Sequence, residues 1–276
     1  MSTRIAPVLA PALAPPPRVL SRVTRAAGSA LLTYGLPIAT FLLLWELWSD
    51  VYGVPQLFPS PRATARTFWQ ILADGTLVHD AATSMLRIGV GFLFGSAIGA
   101  LLGLLIGTFR IVREVLDPYV NFLRFVSGVA WISIFIVWFG IGEVSKVVLI
   151  VYTTCFGVLL NTVAGVAAVS PNKLRLARSF GASATQIFFW VTLPATARYI
   201  LTGMRLSMAN AFLVIVAAEM VQADSGLGFS IMAARQFLAP DVIFCGMITL
   251  GVLGLLSDRL LMLASRVLFG RYYRHN

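Results

Sequence analysis

The chain has little of what soluble enzymes depend on: 12% of its 276 residues are charged, and it contains two cysteines and two histidines. Cys155 and Cys245 lie inside apolar runs, which is typical of packing residues. With His79 and His275 as its histidines, the sequence has no HExxH, GxSxG or CxxC pattern, so we expect no metal site and no catalytic residues. It also lacks GxxxxGKS and GxxxxGKT, which excludes ATP binding through a P-loop in this chain.

Apolar residues dominate what is present. They make up 58% of the chain, against about 45–50% in soluble domains, and the mean hydropathy is +0.87. The net charge of +10 does not indicate a nucleic-acid partner, because the basic residues fall between apolar runs and not on one face among stacking aromatics. The composition therefore predicts an all-α membrane protein whose surroundings are the lipid bilayer.

The length of the apolar runs predicts how often the chain crosses the membrane. A hydrocarbon layer about 30 Å thick needs roughly 20 apolar residues of helix. Six segments meet this requirement: 31–50, 83–107, 119–140, 144–168, 195–221 and 242–265.

The lysines and arginines in the connections predict the orientation, because cytoplasmic loops retain positive charge. The connections on one side of the membrane contain only four basic residues: Arg62, Arg66, Lys146 and Arg235. We therefore predict that both termini and the 169–194 loop are cytoplasmic, and that the 51–82 and 222–241 connections lie outside. The basic residues on the predicted cytoplasmic side are Arg4, Arg18, Arg22, Arg25, Arg110, Arg113, Lys173, Arg175, Arg178, Arg198, Arg259, Arg266, Arg271 and Arg274.

Three segments outside the predicted spans are two cytoplasmic tails and an outer connection. Residues 1–30 form a basic, proline-rich cytoplasmic tail in which Arg18, Arg22 and Arg25 share one helical face; an interfacial helix and a basic linker both remain open. The outer connection contains an amphipathic stretch at 62–72, which predicts a short surface helix. Residues 271–276 are a C-terminal cytoplasmic tail.

Small and charged residues inside the spans predict how the helices pack. A stripe of glycines at four-residue spacing would allow a neighbouring backbone to approach closely. Arg124, Arg205, Asn210 and Glu219 are candidates for lining a polar pathway, because charged and polar groups inside the bilayer are costly. Arg87 and Arg124 lie near the ends of their segments, where the alternative is that their side chains extend to the membrane surface. Pairing with another helix is the alternative reading for Arg205 and Glu219. The stripe consists of Gly91, Gly95, Gly99, Gly103 and Gly107.

The 169–194 loop is too polar to cross the membrane and predicts two short helices. Ser170 and Pro171 can start the first, Gly181 can end it in the left-handed conformation, and Ser183 can cap a second helix that ends before Pro194. Leu174, Ala177 and Phe180 recur at helical spacing, which predicts an apolar ridge for a partner protein between the basic residues Arg175 and Arg178.

The loop also resembles the signature of ATP-binding-cassette (ABC) importer permeases: Glu-Ala-Ala, three residues, Gly, nine residues, Ile, one residue, Leu-Pro. Ala177, Gly181, Val191, Leu193 and Pro194 occupy its positions without a gap. Arg175 and Leu176 stand where the family has glutamate and the first alanine. The resemblance covers roughly 36–270 and is greatest to sulfonate, taurine and nitrate permeases.

The resemblance implies a type I importer permease over 31–270 in the bacterial inner membrane. Its 172–190 segment would be the coupling helices that dock on a separate ATPase, which binds ATP and Mg²⁺, so this chain would have no cofactor. An extracytoplasmic solute-binding protein and a second permease copy, as a homodimer, would complete the assembly. The docking residues would be Leu174, Arg175, Ala177, Arg178, Phe180, Gly181, Ala182, Ser183, Leu193 and Pro194.

Two other classes of membrane protein fit the sequence less well. A secondary transporter or channel usually shows repeated halves with broken helices, and none is visible. A membrane-embedded enzyme would need an acid, a base and a nucleophile that converge in the spans, and the sequence offers no such set.

Overall fold

The computed structural model describes residues 35–52 and 58–269, and the backbone in these ranges forms helices joined by short turns. The predicted tails, 1–30 and 271–276, lie outside the described residues. A 3-10 turn, Gly128–Ala130, precedes α5, and a π-helical segment, Phe188–Thr192, joins α8 to α9. The helices are α1 (Leu36–Tyr52), α2 (Pro61–Ala73), α3 (Thr76–Thr108), α4 (Arg110–Leu123), α5 (Trp131–Phe139), α6 (Glu143–Ala167), α7 (Pro171–Ser179), α8 (Ala184–Ile187), α9 (Leu193–Gln222), α10 (Leu227–Gln236) and α11 (Pro240–Phe269).

Helix α1 belongs to one compact unit, residues 1–53, and the other helices belong to a second, residues 54–276. Its 17 residues extend about 26 Å at 1.5 Å per residue. Apolar side chains such as Phe41 and Leu43 are exposed along it, as contact with lipid requires. The predicted first span, 31–50, coincides with α1 except for its first residues, of which 31–34 lie outside the described part.

Four of the other predicted spans are confirmed as helices of the second unit. Helices α3, α6, α9 and α11 match the segments 83–107, 144–168, 195–221 and 242–265, and each is long and apolar enough to cross a membrane. The predicted surface helix is also confirmed: α2 begins at Pro61, and Ser60 Oγ accepts a hydrogen bond from the Ala63 amide at 3.2 Å.

The prediction of one continuous span over 119–140 is wrong. The chain forms α4, breaks at residues 124–127, and resumes through Gly128–Ala130 into α5, with an angle of 82° between the two parts. Helix α4 also starts earlier than predicted and includes Arg110, Arg113 and Glu114. Ser127 is extended (φ −57°, ψ 135°), a conformation that ends helical hydrogen bonding.

The glycine stripe of α3 packs directly on α6, as the sequence predicts. A Cβ added to Gly99 would lie 2.5 Å from the Cys155 carbonyl oxygen, and one added to Gly91 would lie 2.6 Å from Ile150 Cβ. The two backbones are therefore in contact along the stripe, which only glycine permits.

Helix α6 lies between α3 and α9. On its other side, a Cβ at Gly203 of α9 would approach the Val158 Cα at 3.1 Å, and Ser207 donates to the Thr154 carbonyl at 3.2 Å. The core between these helices includes Ile88, Ile150 and Ile215, each at most 1% exposed. This three-helix core joins the end of the bundle that carries the 169–194 loop to the opposite end.

Candidate functional site: a buried ion network and an exposed two-helix loop

At the end of the bundle remote from the 169–194 loop, Arg87 of α3 binds two carboxylates. It donates from Nε and Nη2 to Glu143 at 2.5 and 2.6 Å, and from Nη1 to Glu219 Oε1 at 2.7 Å. Arg87 is 2% exposed and Glu219 1%, whereas the Glu143 side chain is 60% exposed. A bidentate guanidinium–carboxylate contact fixes orientation as well as distance. Arg87 therefore joins α3, the first residue of α6 and the last turn of α9.

Two further charged groups complete what we call the ion network: Asp80, Arg87, Glu143, Lys146 and Glu219. Lys146, which is buried, donates to Glu143 Oε1 at 2.9 Å. Asp80 accepts from the Gly226 amide at 3.0 Å and from the Ser230 hydroxyl. The described residues contain no group of three or more His, Cys, Asp or Glu that could hold a metal ion.

The ion network also holds the turn between α9 and α10. The Gly228 amide donates to Glu219 Oε2 at 2.9 Å, and the Leu227 amide donates to Ser84 Oγ at 3.0 Å. Ser84 donates in turn to Glu219. These amides belong to the first turn of α10, where a helix has unsatisfied donors and favours negative charge. Gly226 adopts φ +116°, and a Cβ there would lie 2.6 Å from the Glu219 carboxylate, so a side chain at this position would collide with the network.

The 169–194 loop forms two helices around a glycine turn, as predicted. Helix α7 starts at Pro171 and ends at Ser179, two residues before Gly181, which has φ +77°. Ser183 caps α8 in a reciprocal pair with Gln186: the Gln186 amide donates to Ser183 Oγ, and the Ser183 amide donates to Gln186 Oε1. Ser170 is at the predicted N-cap position, but its side chain makes no capping hydrogen bond.

The prediction that the second helix ends before Pro194 is wrong. Helix α8 continues through the π-helical segment into α9, so that Ala184–Gln222 is one continuous helix of 39 residues. Proline has no N–H, and its ring clashes with the carbonyl four residues earlier in a regular α-helix. The wider π turn, in which the Leu193 amide donates to Phe188 O, accommodates Pro194 without ending the helix.

The apolar surface of the loop differs from the predicted ridge. Phe180 is 82% exposed, but Leu174 and Ala177 are half-buried, and Leu174 faces the ends of α3 and α6 beside Gly107 and Val166. Leu176, Phe189 and Trp190 are the other large exposed apolar residues of the loop. An open depression of about 520 Å³ lies between the two helices, lined by Ala177, Phe180, Gly181, Ala182, Gln186, Ile187, Trp190 and Val191.

The other predicted docking residues lie on or beside this surface. Arg175, Arg178 and Ser183 are exposed, and Ala182 is half-buried. Leu193 and Pro194, both half-buried, begin α9.

The four pathway candidates do not come together. Glu219 belongs to the ion network, and Arg205 binds Asp258 of α11 at 2.9 and 3.1 Å. The Arg124 guanidinium lies 4.7 Å from the centre of the Phe125 ring, and Asn210 is exposed on α9. The pairing alternative is thus the one observed for Arg205 and Glu219.

The fold and these contacts define a class: a polytopic helical membrane protein with an exposed two-helix loop between two core helices. Residues 95–271 match the family described as binding-protein-dependent transport system inner membrane component, and the chain belongs to this family of ABC transporter permeases. It is the permease subunit of an ABC importer, a non-catalytic multi-pass component of the inner membrane without a cofactor, and ATP is bound by a partner subunit.

Individual proteins show the same relationship. A probable ABC transporter permease protein of Brucella melitensis is 34% identical, covering 87% of this chain and 95% of that protein. The taurine transport system permease protein of Escherichia coli is 32% identical over 81% and 84%, and the bicarbonate transport system permease protein of Synechococcus elongatus 31% identical over 81% and 85%. The fold is similar to that of a chain in a bacterial alginate ABC transporter crystallised with its periplasmic protein (TM-score 0.60, 15% identity, 91% of this chain and 98% of that one).

Proposed function

We propose that this permease forms the translocation pathway for a small anion of the sulfonate, taurine or nitrate class, and that a separate ATPase drives it through the 172–190 segment. A second copy of the chain completes the pathway, and an extracytoplasmic binding protein delivers the solute. The loop and both termini are cytoplasmic. The chain divides into the tail 1–30, the permease domain 31–270 with the 169–194 loop inside it, and the tail 271–276.

One observation carries the coupling proposal: the second helix of the loop continues into a membrane span. The helix Ala184–Gln222 begins at the exposed surface with Phe189 and Trp190 and ends beside Glu219 of the ion network. A displacement of the loop by a docked partner is therefore transmitted along a continuous backbone to the opposite end of the bundle.

The docking surface itself supports a protein partner. Phe180 and Trp190 are 82% and 80% exposed and line the open depression, and Leu176 is 59% exposed on the same loop. Exposed apolar groups rimmed by polar ones are typical of interaction sites. The helix bundle would alternate between an inward-facing and an outward-facing state. The partner could shift this equilibrium only as far as its affinities for the two states differ.

The substrate class rests on the relatives and on charge. Taurine carries a sulfonate, and the bicarbonate permease also has an anionic solute in its name. Of the pathway candidates, Arg124 forms no ion pair in the described part of the chain, and Asn210 presents an exposed, neutral amide. We place them at the pathway, with Arg205 and Glu219 fixing the helices around it.

Gly181→Trp tests the docking proposal. A tryptophan at a left-handed position strains the turn and fills the docking surface, so the variant should insert normally but lose ATPase co-purification and ATP-dependent uptake. Gly75→Trp is the matched control, because Gly75 also has a positive φ (+78°) and open space around it. Normal ATPase association by Gly181→Trp would contradict the proposal.

A binding assay tests the substrate class separately. Equilibrium binding of taurine, alkyl sulfonates, nitrate and bicarbonate to the cognate binding protein should detect one of these solutes. Binding only of solutes that carry no sulfonate or other anionic group would overturn the substrate class and leave the docking proposal intact.

A further inference from the structure

A cleft of about 470 Å³ separates α9 from α11 near the ends of these helices that face the 169–194 loop. Two arginines lie in its wall, and hydroxyl groups and an apolar surface complete it. No role in transport described above uses it as a binding site. Its lining includes Leu201, Thr202, Arg205, Met262, Ser265 and Arg266.

The cleft carries more positive than negative charge. Arg205 is held by the carboxylate of Asp258 at 2.9 Å, and its side chain remains 51% exposed. Arg266 adds a second guanidinium in the last turn of α11. Because Asp258 offsets the charge of Arg205, Arg266 supplies the net positive charge among the described residues of the cleft.

Helix lengths place this cleft at the level of lipid headgroups. The helix Ala184–Gln222 is about 58 Å long, more than the roughly 40–45 Å of a whole bilayer, so one end extends beyond the membrane. Counting about 20 residues back from Gln222 crosses the hydrocarbon layer and reaches Thr202. Helix α11 is about 45 Å long, which also exceeds the roughly 30 Å of the hydrocarbon layer, and Arg266 lies in its last turn. Both walls thus extend beyond the hydrocarbon layer on the side of the cleft.

We propose that this cleft binds the phosphate headgroup of an anionic phospholipid. The Arg266 guanidinium can bind phosphate oxygens through paired N–H donors, and the Thr202 and Ser265 hydroxyls can donate to the remaining oxygens. Leu201 and Met262 supply an apolar wall for an acyl chain. Basic pockets between membrane helices provide this chemistry for anionic headgroups.

The experiment measures retained lipid by native mass spectrometry of the full-length chain, purified from bilayers containing phosphatidylglycerol or phosphatidylcholine. The parent chain should retain phosphatidylglycerol in preference to phosphatidylcholine. Arg266→Gln should weaken this retention roughly fivefold, the usual effect of one basic residue near an anionic surface. Arg259→Gln is the matched control, since Arg259 is exposed on the same helix outside the cleft lining.

A second variant separates loss of the site from loss of the fold. Ser265→Trp keeps both arginines but fills the cleft, and it should also release the lipid while the variant still co-purifies with the ATPase. Equal retention of phosphatidylglycerol by parent, Arg266→Gln and Ser265→Trp would overturn the proposal. Displacement of the lipid by inorganic phosphate alone would also overturn it, because the site would then be one for free anions.

Discussion

Arg87 decides how the end of the bundle opposite the loop is held together. Its guanidinium compensates Glu219, which is 1% exposed, and it also binds Glu143 at the start of α6. Taking charges out of water is costly unless partners satisfy them, and removal of one partner leaves the other charge buried and uncompensated. The single side chain therefore determines whether three helices and the following turn can stay in this arrangement.

Arg87→Met should destabilise the folded chain by about 3–5 kcal/mol, because the Glu219 carboxylate would remain buried without its cation. Thermal unfolding of the purified protein in detergent measures this loss. Arg110→Met is the control: the Arg110 side chain is 90% exposed in its pair with Glu114, so its loss should cost less than about 1 kcal/mol.

The double variant Arg87→Met with Glu219→Met tests the cause. Replacing both members of a buried pair by apolar residues is often neutral, so the double variant should be more stable than Arg87→Met alone. An equal or larger loss in the double variant would show that the hydrogen bonds to the turn, and not the uncompensated charge, dominate.

At this scale the sequence indicates only half of the ion network. Arg87 and Glu219 are visible as charges inside apolar segments, and pairing with another helix is the reading that holds for Glu219. Their partners are not visible, because Ser84 and Glu219 are separated by 135 residues and no local pattern joins them. Asp80 looks like an ordinary polar residue of a connection, since its role depends on where α10 begins.

Among the elements, two depart from the predicted pattern: the break at residues 124–127 and the π-helical segment. A proline in the position of Pro194 usually marks the end of a helix. Here the backbone hydrogen bond spans five residues in place of four, and the helix continues. The segment sets the direction in which the docking surface points relative to α9.

Pro194→Ala should restore an N–H and allow a regular α-helix across this segment, which rotates the loop relative to α9. We expect ATPase association to persist while uptake per bound ATPase falls severalfold. Pro240→Ala, at the start of α11, should leave uptake unchanged because no π turn accompanies that proline. Unaltered uptake by Pro194→Ala would mean that the π turn does not set the coupling.

Gly99→Leu should destabilise the contact between α3 and α6, because even a Cβ would lie 2.5 Å from a backbone oxygen of α6. Overpacking of this kind costs about 1–3 kcal/mol or more. Gly89→Leu, on the same helix with nothing within 4 Å, should leave the unfolding temperature nearly unchanged. Similar losses in both would show that the close contact at Gly99 is not the cause, because leucine favours a helix more than glycine does.

The elements show why some boundaries can be predicted and others cannot. Long apolar runs identify α3, α6, α9 and α11, since the bilayer sets their length. The break at residues 124–127 occurs inside an apolar run that contains no proline and no charge cluster after Arg124. The hydropathy of the sequence therefore does not reveal it. The continuation past Pro194 is likewise invisible, because it depends on a backbone widening that no residue type specifies.

For the whole molecule, the central prediction is that the loop and the ion network face opposite sides of the membrane. Thr185→Cys and Asp74→Cys place labels on exposed positions at the two ends, and the native Cys155 and Cys245 are buried. A membrane-impermeant maleimide should label Thr185→Cys only in inside-out vesicles and Asp74→Cys only in right-side-out ones. Labelling of both from one side would contradict the arrangement of spans.

The turn at Gly226 has a consequence for how this protein can diverge. The carboxylate of Glu219 occupies the volume that any side chain at 226 would need, and the positive φ of Gly226 disfavours a side chain there even with space around it. Among descendants of this chain, a substitution that adds bulk at 226 should survive only together with a shorter residue at 219 and a changed backbone at the turn. The two sites would then be inherited as a pair, although their codons mutate independently.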